Sequence, residues 1–153
     1  MGGLSGLGFA PYFVFPLAYL GLAAFAFLTR HSPSVLAAFV AGWAFGLCQF
    51  IVGLSWITES FAVEAEQFGM LAWPAVTALS ALLALFPASA AMTARYLGGS
   101  GPGTVFVLPA TWSIAEMARG AILTGFPWNL IGYAWGFSCL LYTSPSPRDQ
   151  AKS

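Results

Sequence analysis

Glu116 and Arg119 stand three residues apart in the stretch WSIAEMARGAILTGFPWNLIGY, residues 112–133. On a helix that spacing puts both side chains on one face, close enough to pair. Ionisable groups in apolar surroundings are costly, so they turn toward a bundle interior or toward water. Two chemistries suit the pair. It lines a polar pocket for a lipid headgroup, with Arg119 against a phosphate. Alternatively, it is a structural ion pair that settles a helix end at the membrane interface. Downstream, Gly120 and Gly125 loosen the helix, and Pro127 ends regular structure. The proline also biases Phe126 toward an extended backbone. Phe126 and Trp128 are then displayed at the outer interface. There they contact lipid and shape a substrate path, or they anchor the chain, a common role for tryptophan.

Other chemistry-bearing residues are sparse. His31 stands beside Arg30 with no further ligand near it, whereas a metal site needs several. Cys48 lies in an apolar run without a neighbouring base, so packing is its expected role. Cys139 adds no disulfide framework or Cys-x-x-Cys site. The run GGSGPG, residues 98–103, has too many chain breakers and no following lysine to cradle phosphate. GLSGLGFAP near the start contains Gly-x-x-Gly-x-Gly, but no strand precedes it. No metal or cofactor is expected.

The elements that carry these residues follow from composition. Of 153 residues, 59% are hydrophobic and 7% are charged, and mean hydropathy is +0.81. A soluble domain carries about a quarter charged residues, so lipid is the expected solvent. The formal net charge is +0, which gives no reason to expect a nucleic-acid partner. The N-terminus lacks a basic segment, and no cleaved signal peptide is read there. Charges punctuate the chain. Residues 1–29, 32–58 and 67–94 carry none, and a fourth apolar run begins at Thr104. Each run has the length of a membrane-crossing helix, about 20 residues. Helices are expected because lipid offers unpaired backbone groups no partner. Pro11 and Pro16 make APYFVFP a turn within the first run, leaving residues 1–10 too short to span. Arg30 and Arg95 are expected on the cytoplasmic side, with Glu59, Glu64 and Glu66 outside. Gly42, Gly46 and Gly53 share a helix face and are expected to let helices approach closely. Most of the six tryptophans lie near run ends, as in an interfacial belt. The fold expected is all-α: a multi-pass transmembrane bundle of about four to five helices, the first incomplete.

LPATWSIAEMARGAILTGFPWNLIGYAW resembles the fifth-helix region of bacterial apolipoprotein N-acyltransferases. The resemblance rests on Trp112, Glu116-x-x-Arg119-Gly120, Thr124-Gly125-Phe126-Pro127-Trp128 and Gly132-Tyr133. GFAPYFVFPLAYL looks like the first hairpin of that family, and GWAFGLCQFIVGLSWI like its third helix. The resemblance implies transfer of a fatty acyl chain from a phospholipid to the amino group of a lipoprotein's diacylglyceryl-cysteine. It implies a thioester on an enzyme cysteine, which splits one hard transfer into two. It further implies a catalytic Glu, Lys and Cys in a nitrilase-like periplasmic domain after the helices. The phospholipid donor and the diacylated lipoprotein are the implied partners, and the bacterial inner membrane is the implied location. Neither Cys48 nor Cys139 matches the nucleophile. The chain is expected to stop before the catalytic domain, to be inactive alone and to be monomeric. Glu116, Arg119, Phe126, Pro127 and Trp128 are the candidate lipid contacts. A transporter fragment and a stand-alone membrane anchor are the alternatives. A transporter would place polar residues along several spans, but Gln49 and scattered Ser and Thr are all that occur.

The last stretch reads differently. Arg148, Asp149 and Lys152 fall within residues 138–153, as do Pro145 and Pro147. CLLYTSPSPRD, residues 139–149, resembles the translation of a transposase adapter used in sequencing libraries. A natural Ser/Pro-rich linker is the alternative. Residues 1–137 are therefore expected to form the membrane domain, and residues 138–153 an artefactual disordered tail that is set aside.

Overall fold

The computed structural model describes residues 2–3, 15–58 and 69–122. Among them, every regular element is helical. Helix α1 spans Phe15–His31, α2 spans Val35–Gly53, α3 Ala72–Leu83, α4 Leu85–Gly98 and α5 Gly103–Ile122. A single 3-10 turn, Gly69–Leu71, leads into α3. The turn APYFVFP and the acidic connector fall largely or wholly outside the described residues, as does the expected tail. The architecture is an all-α bundle.

Each break has a local cause. Pro33 has no N–H to give and disfavours helical backbone at Ser32, so α1 stops. Three side chains then bond carbonyls of its last turns. Thr29 Oγ1 donates to Phe25 O at 2.9 Å, His31 Nδ1 to Phe27 O at 2.8 Å, and Ser32 Oγ to Leu28 O at 2.8 Å. Ser34 starts α2 as its N-cap, accepting from the Ala37 N–H at 3.0 Å. Such a cap is worth about 1 kcal/mol. The third apolar run is not one uniform helix. It is divided at Ala84, because Pro87 cannot bond the Leu83 carbonyl and its ring crowds that oxygen. Backbone bonds still carry across the break, from Ala84 N to Ser80 O at 2.9 Å and from Ala88 N to Ala84 O at 3.1 Å. At the far end Gly99 has φ +64°, a conformation in which side chains other than glycine are strained. It turns the chain so that Gly98 abuts the backbone of Thr104. The run GGSGPG is thus the tight reversal between α4 and α5.

Two helical stretches are long and apolar enough to cross a membrane by length and composition. They are Val35–Gly53, with mean hydropathy 2.1, and Gly69–Gly98, with 1.8. Large apolar side chains also point outward, among them Leu36, Phe106, Ile114 and Met117, with Phe106 81% exposed. Such a surface suits lipid and not water. Arg95 Nε donates to Ser32 O at 3.1 Å. The α1–α2 and α4–α5 connectors therefore lie at one end of the bundle, in keeping with the expectation that Arg30 and Arg95 share a side.

The core has two parts. Phe25, Phe45, Ala91, Ala94 and Leu108 form one cluster, and Phe50, Leu54, Val76 and Leu83 the other. The α2–α4 seam runs between small residues. A Cβ on Gly42 would lie 2.8 Å from Pro87 O and 2.9 Å from Ala88 Cα. A Cβ on Gly46 would run into the Pro87 ring and lie 3.1 Å from Ala84 Cα. Gly53 is buried at the last turn of α2. Without side chains at Gly42 and Gly46, the α4 backbone packs directly against α2, which maximises dispersion contacts where lipid gives no hydrophobic force.

Candidate functional site

Helix α5 carries Trp112, Glu116 and Arg119 at intervals of four and three residues, which is one helical stripe. Two features aim that stripe at the bundle. Thr111 Oγ1 donates across to Ala90 O of α4 at 3.1 Å. Trp112 packs edge-on against Phe25 and Phe45, with ring centroids 5.6 and 6.2 Å apart. Those two phenylalanines stack on each other at 4.4 Å. The sequence placed tryptophans in an interfacial belt, yet Trp112 is an internal packing residue. Trp43 is likewise turned inward, donating from Nε1 to Ala81 O at 3.1 Å. Trp56 and Trp73 are exposed near helix ends, where a belt would lie. For Trp43 the indole N–H gives the reason, since it lets a tryptophan inside a helix bond a neighbouring carbonyl.

Arg119 is buried, with 2% of its surface exposed. Its guanidinium carbon sits 5.1 Å from the centre of the Phe50 ring, within cation–π range. Nη2 lies 3.8 Å from Glu116 Oε1, and the Glu116 side chain keeps 21% of its surface. Both charged residues make further interactions. The separation is that of an ion pair and exceeds hydrogen-bond length. Taking a guanidinium out of solvent is expensive, and a carboxylate and a ring face are what offset it here. The pair therefore belongs to the bundle interior, with Glu116 the more open partner.

Gln49 of α2, which the sequence did not join to the pair, and Trp112, which the motif did, complete the site. Gln49 is 1% exposed, and its Oε1 has no hydrogen-bond partner among the described residues. The same holds for Trp112 Nε1. A cavity of about 10 Å³ between α2, α4 and α5 is lined by Gln49, Phe50, Phe86, Trp112, Glu116 and Arg119. The signal for Gln49 was present in the sequence, as one amide in an otherwise apolar run. A second, larger groove of about 260 Å³ opens between α4 and α5, lined by Phe86, Ser89, Thr93, Thr111, Ile114 and Ala118.

The remaining candidates sit apart. Phe126, Pro127 and Trp128 lie outside the described residues. Gly42, Gly46 and Gly53 face other helices as described above. Cys48 is a free, exposed thiol on α2, and His31 is exposed with Phe27 against its ring at 4.1 Å. Among the described residues there is no group of three or more metal-ligating side chains.

Comparison with known proteins bears on what this site serves. The profile of the apolipoprotein N-acyltransferase N-terminal domain matches residues 1–144. The apolipoprotein N-acyltransferase of Brucella suis is 48% identical over 100 residues, 65% of this chain and 19% of that protein. That of Sinorhizobium fredii is 44% identical over 100 residues, again 65% of this chain and 19% of that protein. That of Rhodopseudomonas palustris is 38% identical over 138 residues, 87% of this chain and 26% of that protein. The chain thus spans about a fifth to a quarter of the length of these curated relatives. The profile spans nearly the whole chain, so this chain belongs to the apolipoprotein N-acyltransferase family through its N-terminal domain.

Proposed function

We propose that the chain is the multi-pass membrane portion of an enzyme that acylates lipoproteins in the bacterial cytoplasmic membrane. The reaction moves a fatty acyl chain from a phospholipid to the amino group of the N-terminal diacylglyceryl-cysteine. In the first step an enzyme thiolate attacks the phospholipid ester, forming a thioester and releasing a lysophospholipid. In the second step the lipoprotein amine attacks the thioester, forming the amide and returning the thiolate. The Glu, Lys and Cys for that chemistry belong to a nitrilase-like domain beyond these helices. Cys48 faces outward from α2 and takes no part.

Within this scheme the helices anchor the catalytic domain and form one wall of the groove by which lipid enters. Glu116, Arg119, Phe126, Pro127 and Trp128 make that wall, and the protein works as a monomer. The observation that carries the role is the burial of Arg119 against Phe50 and Glu116. It fixes the last turns of α5, from which the Thr-Gly-Phe-Pro-Trp segment continues. Partly exposed Glu116 and the apolar groove between α4 and α5 supply headgroup-facing and acyl-facing surfaces beside it. The test is acyl transfer by a full-length enzyme carrying this segment, with Arg119→Ala and Trp128→Ala introduced separately. Misplacing a substrate-positioning wall slows transfer roughly tenfold or more. Wild-type transfer in both variants would remove the assigned role.

A further inference from the structure

The cavity between α2, α4 and α5 is too small for a phosphate or a headgroup. Its volume of about 10 Å³ is that of one water-sized probe. Its walls hold an acceptor and a donor, Gln49 Oε1 and Trp112 Nε1–H, neither with a partner among the described residues. Gln49 is 1% exposed, so bulk solvent does not reach it. Glu116 and Arg119 line the same space. An orphaned buried amide or indole group is destabilising, and groups of this kind are commonly satisfied by an ordered water.

We propose that this cavity is a binding site for a single internal water molecule that joins α2 to α5. The water donates one proton to Gln49 Oε1 and the other to the Glu116 carboxylate, and it accepts from Trp112 Nε1–H. Three partners are the usual number for a buried water. The water links the amide of α2 to the ion pair of α5 in surroundings where apolar contact alone cannot fix helix register. The assignment concerns this bundle only and stands whether or not the acyl-transfer role holds.

The test uses the full chain in detergent micelles, with Gln49→Met, Trp112→Phe and the double variant. Each single change leaves an orphaned group and lowers the thermal midpoint by about 3–6 °C. The double change removes both partners, and its loss is smaller than the sum of the single losses. Strict additivity would overturn the assignment. A second readout needs no folded variant of Gln49. In the proton NMR spectrum of the wild-type chain, the Trp112 indole N–H, identified by its loss in Trp112→Phe, shows magnetisation transfer from water. An indole signal without that transfer would also overturn it.

Discussion

Helix α2 meets α4 and α5 through two unlike seams. Toward α4 it presents Gly42 and Gly46, and the opposing surface is the backbone and small side chains of Ala84, Pro87, Ala88 and Ala91. Toward α5 it presents Gln49 and Phe50, and the opposing surface is Trp112, Glu116 and Arg119. The first seam is held by proximity. It has no polar atom to satisfy and no side chain to reposition, so its tolerance is set by volume. The second seam is held by ring contacts and by the Arg119 guanidinium over the Phe50 ring. It loses more from an unmatched partner than from a change of shape. Two ways of joining helices in lipid thus lie a few residues apart on one helix.

Substitutions separate the two modes. Gly46→Leu forces a side chain into the Pro87 ring and α4 backbone, and no rotamer avoids the Cβ. A loss above about 4 kcal/mol is expected, enough to abolish the bundle. Unfolding by SDS titration in mixed micelles measures it. Arg119→Met keeps length but leaves Glu116 without its charge partner, an expected loss of about 3 kcal/mol. Adding Glu116→Leu should recover most of that loss, a recovery no second change at the α4 seam should give to Gly46→Leu unless it removes volume. If Arg119→Met costs nothing in the same titration, the second seam is not electrostatic. Trp43→Phe removes the bond to Ala81 O between α2 and α3, with an expected cost of about 1 kcal/mol. Ser34→Ala removes the α2 cap at a site away from both seams, for about 0.5–1 kcal/mol. Its effect should add to that of either seam variant.

Much of the fold was legible in the sequence because charge is so rare in it. The breaks at Ser32-Pro33 and at GGSGPG follow from Pro33, Gly99 and their neighbours, whose backbone limits are local. The glycine spacing on α2 marked a close-packing face, although the identity of the opposing helix depends on tertiary contacts. The division of the third run at Ala84 was hidden, because Pro87 acts on a carbonyl four residues earlier within an unbroken apolar string. Of the site, Glu116 and Arg119 were legible as a helical pair. Gln49 was legible only as a lone amide in an apolar run and Phe50 not at all, since both lie on another helix and nothing local in α2 points to α5. Trp112 was read as a belt residue because its partners, Phe25 and Phe45, come from distant segments.

The central functional claim is that these helices serve an acyltransferase. Its most direct test replaces the matching segment of the full-length Brucella suis relative with residues 2–122 of this chain. The chimera is then expressed in bacteria depleted of their own lipoprotein N-acyltransferase. Mass spectrometry of a lipoprotein N-terminus reads the outcome. A third acyl chain on the N-terminal cysteine is the expected result. A chimera that inserts and folds in the membrane yet leaves the lipoprotein diacylated would contradict the account.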